Sequence, residues 1–113
     1  MQVLFETRDP EAARLRELAE RRVRFAMRRL TWLVPRARVQ LSDTNGPRGG
    51  VDKRCRVELR PDGVQPVVIT AVARDWRSAL DSALARAARL LVRLWRRSRG
   101  HDRARVPALH SER

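Results

Sequence analysis

The sequence predicts an α+β domain, a two-layer sandwich of element order β-α-β-β-β-α, with a four-stranded sheet covered on one face by two helices. Three observations lead there. Two long segments repeat apolar residues at three- and four-residue spacing, four short segments alternate apolar and polar residues, and the turn chemistry between the last three strands favours short loops. At 113 residues the chain fits one domain, and a hydrophobic share of 42% is ordinary for a folded protein despite a formal charge of +13.

Residues 2–6 place Val3 and Phe5 on one side and read as a short strand. Asp9-Pro10-Glu11 then starts a helix, with an N-cap acceptor, proline at the first helical position and an acid favoured by the helix dipole. This helix is expected from about Pro10 to Thr31. Ala12, Leu15, Ala19, Val23, Ala26 and Leu30 form its apolar stripe, with Leu18 and Met27 at the edges, and Pro35 prevents continuation. Arg36 to Asp43 alternates with Ala37, Val39 and Leu41 inward, and Asp52 to Arg60 with Cys55, Val57 and Leu59 inward. Between them, Thr44 to Gly50 is a glycine-rich loop. Pro61-Asp62-Gly63 marks a tight turn into a strand from Val67 to Ala73, whose inward set is Val67, Ile69 and Ala71.

Asp75 caps the second helix, expected from Trp76 to Arg97. Trp76, Ala79, Leu80, Ala83, Leu84, Ala87, Leu90, Leu91 and Leu94 give the strongest periodic signal in the chain. From Ser98 to Arg113 no apolar period remains and a disordered basic tail is expected, so the domain is read as residues 1–97. Each strand has one apolar face, so one sheet face is expected to be wet.

Charge bounds the function. Of the basic residues only Lys53 is lysine; arginine's planar fork grips phosphate bidentately, although codon bias also produces such a preference. A net charge of +13 exceeds the roughly 2–8 that keeps a small domain soluble and implies an anionic partner, nucleic acid first. Arg21, Arg22, Arg24, Arg28 and Arg29 come late on the first helix with no acid among them. On the second, Arg86, Arg89, Arg93, Arg96 and Arg97 follow Asp81, and the next acid is Asp102. Solvated helix faces are the plain alternative, but apart from Glu17 and Glu20, four residues before Arg21 and Arg24, these runs lack the acid partners at i,i+4 that stabilise such faces. A cradle for phosphate backbone fits them better, and its binding would depend steeply on salt.

Other classes find little support. His101 and His110 lie in the tail, Cys55 falls on an inward strand position, and no metal-ligand spacing exists, so an enzyme, a cofactor and a metal are not expected. The 46–50 loop lacks the Lys-Ser/Thr of a phosphate loop. Trp76 is in phase with the core stripe, Trp95 is off it, and no aromatic row marks the wet strand faces, so backbone recognition is favoured over base readout. No apolar run approaches the ~18 residues of a membrane span, and no leader is read at the N-terminus, so the cytoplasm is the expected compartment.

The element order, the stretch from Leu41 to Cys55 (LSDTNGPRGGVDKRC) and Asp75-Trp76-Arg77-Ser78-Ala79-Leu80-Asp81 resemble the ribosome hibernation factors, the HPF/RaiA ribosome-associated inhibitor or sigma-54 modulation family, over about residues 2–97. The resemblance implies a fold like that of double-stranded-RNA-binding domains. It also implies binding to rRNA in the mRNA and tRNA channel of the small ribosomal subunit, and silencing of idle ribosomes by occlusion. Arg86, Arg89 and Arg93 match the family's basic positions on the second helix and Arg22 and Arg28 those on the first; Arg21, Arg24, Arg29, Arg96 and Arg97 are secondary candidates. Arg77 stands where the family usually has an aromatic residue and Phe25 near a position often basic. The few residues after Arg97 match the short form, without the dimerisation domain of the long one. Two other functions remain open on the residues alone. One is a protein-binding regulator that uses the wet sheet face around Val68 and Val72, and the other is a generic RNA-binding protein.

Overall fold

The computed structural model describes residues 1–44 and 52–111, with side chains through Arg99. The elements are β1 (Gln2–Thr7), α1 (Pro10–Ala13), α2 (Arg16–Ala26), β2 (Arg36–Asp43), β3 (Lys53–Arg60), β4 (Val67–Ala73) and α3 (Trp76–Ser111). The class is α+β, built on a four-stranded mixed sheet of order β1-β2-β3-β4. β1 lies parallel to β2, and the two following pairings are antiparallel. The helical segment between β1 and β2 makes the crossover that a parallel pair requires.

Register sorts the strands into faces. Phe5, Val39, Val57 and Ile69 stand opposite one another across the sheet, as do Val3, Ala37, Leu59 and Val67, and Thr7, Leu41, Cys55 and Ala71. These rows face the helices and supply the sheet's share of one core, together with Ala19 and Val23 of α2 and Ala79, Leu80, Ala83, Leu84, Ala87 and Leu91 of α3. α3 packs over β3 and β4 and touches α2, which lies towards β1. Alanine at 79, 83 and 87, all fully buried, keeps the helix close to the sheet. The other face carries Arg38, Glu58 and Val68 in one row and Glu6, Gln40, Arg56 and Thr70 in the next.

The first helix differs from its expected course. The stripe from Pro10 to Thr31 is interrupted twice. Arg14 and Leu15 donate to the carbonyls three residues back, Glu11 and Ala12, which separates α1 from α2. After Ala26 the same tightening recurs: Arg28 N–H donates to Phe25, Leu30 to Met27 and Leu33 to Leu30. Such turns advance about 120° per residue, so side chains three apart eclipse one another. Met27 and Leu33 thereby enter the core at 0% and 3% exposure with Leu30 half-buried between them, and Met27 is central rather than marginal. Val34, also fully buried, completes the descent into β2.

The second helix begins as expected and ends later. Ser78 donates from its N–H (2.7 Å) and hydroxyl (3.0 Å) to the Asp75 carboxylate, which holds that carboxyl below its usual range. The helix continues past Arg97 to Ser111, so the element boundary expected at Arg97 is not a helix end. β3 starts at Lys53 rather than Asp52. The glycine-rich loop over residues 45–51 and the side chains of His101 and His110 lie outside the described residues.

Cys55 is fully buried, and burial pushes its thiol up to about 12. The native protein is expected not to react with a chromogenic disulfide reagent at pH 8 and to release one equivalent only in denaturant. Rapid native labelling would contradict the packing of β3. Because the neutral thiol is the form the fold accommodates, stability should fall as pH rises above the ordinary thiol value near 9.

Candidate nucleic-acid interface

The turns after α2 and the middle of α3 enclose a groove of about 590 Å³. Arg28 and Arg29 stand on one side, Arg89, Arg93 and Arg96 on the other, with Ala26, Leu30, Ala88 and Val92 between them. Helical spacing explains the α3 side, since residues 89, 93 and 96 recur every three or four positions. The three-residue turns explain the other side, where Ala26, Arg29 and Trp32 fall in one row. All five arginines are exposed, and among the described residues none of them pairs with a carboxylate. Arg28 is anchored locally: its Nη1 donates to the Phe25 carbonyl at 2.8 Å and its guanidinium lies 4.2 Å from the Phe25 ring centroid.

The remaining candidates do not join this groove. Arg22 Nη1 donates to both carboxylate oxygens of Asp81, at 2.6 and 2.5 Å, and so ties α2 to α3. Its charge is matched within the protein, contrary to the expectation that it stands free for phosphate. Arg86 donates to the Thr70 carbonyl of β4 at 3.3 Å, and Arg97 borders a hollow with Gly63, Val64 and Gln65. Both therefore point to the far side of α3. Arg24 donates to the Met1 carbonyl at 3.1 Å. Arg21 is exposed on α2. The arginine surface expected to be continuous over both helices is thus a groove of five with satellites aimed elsewhere.

A second hollow, of about 630 Å³, opens on the uncovered sheet face. Arg8, Arg54 and Arg56 line it, but so do Glu6 and Asp9. Gln40 bridges across it, donating to Glu6 at 2.8 Å and accepting from Arg56 at 3.0 Å. Arg38 and Arg60 on the same face are likewise within 4 Å of Glu58. The sheet face sets Glu6 and Glu58 among its arginines, although Arg36 and Arg54 have no carboxylate partner among the described residues, whereas the lining of the helical groove holds no carboxylate at all. That contrast makes the groove the better anion site, because a field of one sign over low-dielectric walls is focused rather than cancelled.

Lys53 serves structure. Its Nζ lies 2.7 Å from Asp43 and 3.5 Å from the fully buried Asp52, and 5.0 Å from the Trp76 ring centroid. The hydrogen bond to Asp43 raises its pKa above the usual lysine value. Trp76 is buried, as its phase predicts, and its Nε1–H donates to the Ser42 carbonyl at 3.2 Å. The cluster closes the base of the β2–β3 loop against the start of α3. Among the described residues no group of His, Cys, Asp and Glu is placed to hold a metal, and no helix is long and apolar enough to cross a membrane.

Sequence reasoning missed two residues beside the groove, Phe25 and Trp32, at 65% and 62% exposure. The available signal was that neither falls on the apolar stripe, Phe25 standing between Val23 and Ala26 and Trp32 just past the helix end expected at Thr31. No family model matches the chain, and no curated protein does.

Proposed function

We propose that this protein is a ribosome-binding translation inhibitor that occupies the mRNA and tRNA channel of the small subunit through phosphate contacts to rRNA and silences idle ribosomes without chemistry. The observation that carries this reading is the groove between α2 and α3, where five exposed arginines meet with no carboxylate partner among the described residues. Such a cluster is repulsive in the free protein and is relieved by a polyanion. The resemblance of residues 41–55 and 75–81 to the hibernation factors, and through them to double-stranded-RNA-binding domains, directs the choice of polyanion to rRNA. This role places the protein in the cytoplasm with the ribosome.

Purified ribosomes provide the test. The protein is expected to sediment with small subunits, to be displaced by tRNA and mRNA, and to dissociate steeply as salt rises. Protein that stays at the top of the gradient at moderate salt would refute the proposal. Binding to unrelated duplexes with equal affinity at matched salt would reduce it to generic RNA binding. The exposed Val68 and Val72 on edge strand β4 favour a protein partner as the second reading, for which ribosome binding would be absent and capture would depend on those valines.

A further inference from the structure

Trp32 is a large apolar side chain that the fold leaves 62% exposed, yet it is fixed in place. Its ring meets Trp95 edge-on, with centroids 5.6 Å apart and planes at 78°. Its Nε1–H donates to the Arg29 carbonyl at 3.0 Å. The indole's one polar atom is therefore satisfied inside the protein, and what it offers outward is ring surface. Residues close in sequence to both tryptophans line the groove. Ala26, Arg29 and Trp32 share a row of the three-residue turns, and Ala26 and Arg29 line the groove. On α3, Val92 and Arg96 line the groove and Trp95 lies between them in sequence, with the Arg99 guanidinium 5.0 Å from its ring centroid.

We infer that Trp32 is a stacking platform for one unpaired base of an RNA whose neighbouring phosphates lie on the groove arginines. This deepens the RNA-binding reading above and rests on it. A paired base presents only its edge in a groove, whereas an unpaired base presents a π-face of nearly its full area. A rigid, preorganised indole beside a row of cations suits a flipped-out or single-stranded nucleotide, because stacking and phosphate contact are then made by adjacent parts of one residue. Phe25 is the weaker platform, since the Arg28 guanidinium already occupies one face of its ring. The specificity is for an unpaired position and not for base identity, because every base has a π-face.

The test uses the full chain and labelled RNA of ~12 nucleotides, within the span of one small module, as oligoadenylate and as a blunt duplex of equal length. Trp32→Ala is expected to weaken oligoadenylate binding about tenfold while leaving duplex affinity and the salt slope unchanged, and Trp32→Phe should retain most of the affinity. Trp32→Leu, which keeps apolar packing against Trp95 but cannot stack, should behave as Trp32→Ala and guards against a packing defect. Unchanged oligoadenylate binding in Trp32→Leu, with the steep salt slope intact, would overturn the stacking site alone. An equal loss on single strand and duplex would overturn it too, and absence of RNA binding in the wild-type protein would remove the groove reading with it.

Discussion

The double charge reversal Arg89→Glu with Arg93→Glu is expected to weaken ribosome association by at least ~100-fold at about 0.1 M salt, because each phosphate contact contributes close to tenfold there through counterion release. Both side chains are exposed and carry no internal carboxylate partner among the described residues, so their loss should not lower the melting temperature; relief of like-charge crowding with Arg28, Arg29 and Arg96 would raise it slightly. The single neutral variants Arg89→Ala and Arg93→Ala should each reduce the salt slope by about one. Arg22→Ala is the internal comparison. Its guanidinium is already matched by Asp81, so its removal should change affinity far less than Arg93→Ala, while costing at most about 1 kcal/mol of stability for a pair this exposed. Sedimentation at several salt concentrations measures all of these. An Arg89→Glu, Arg93→Glu protein that still co-sediments with small subunits would show that the groove is not the contact surface.

Leu80→Ala is expected to lower stability by about 3 kcal/mol and the melting temperature by roughly 10–15 °C. Leu80 is 1% exposed on the first turns of α3, which packs over β3 and β4, and truncation leaves a cavity in that core that can close only by moving the helix towards the sheet. Leu90→Ala, at a half-buried position of the same stripe, should cost clearly less. Circular dichroism melts separate the two. A Leu80→Ala protein within about 0.5 kcal/mol of wild type would contradict the seating of α3, since surface substitutions have effects of that size. The groove depends on that seating: Arg89, Arg93 and Arg96 face Arg28 and Arg29 only if the helix holds its rotation on the sheet.

Much of the fold is legible from local chemistry. The alternation at Ala37, Val39 and Leu41 and the turn at Pro61-Asp62-Gly63 locate their elements, and Gly63 adopts the positive φ (+72°) that such a turn can require. Asp9 and Asp75 mark helix starts because their carboxylates accept from backbone N–H groups two or three residues on. The segment from Arg14 to Val34 is less legible. Apolar spacing at three and four residues is compatible both with a continuous α-helix and with tight turns, and the difference changes which face Arg28, Arg29 and Trp32 occupy. The arginines were likewise recognisable as acid-free runs, but one-dimensional spacing says nothing of partners far along the chain. Asp81 is fifty-nine positions from Arg22 and reaches it only because α2 and α3 are neighbours.

The amino-acid sequence by itself determined the α+β class, the strands and their inward residues, and a surplus of positive charge on two helices, because periodicity, capping and composition are local properties. Tertiary structure alone decided which charges are spent and which are available. Packing α3 beside α2 neutralised Arg22, aimed Arg86 and Arg97 away, and gathered five arginines from two distant segments around one groove. Electrostatic fields depend on distances through space, and those distances exist only once the helices are seated on the sheet.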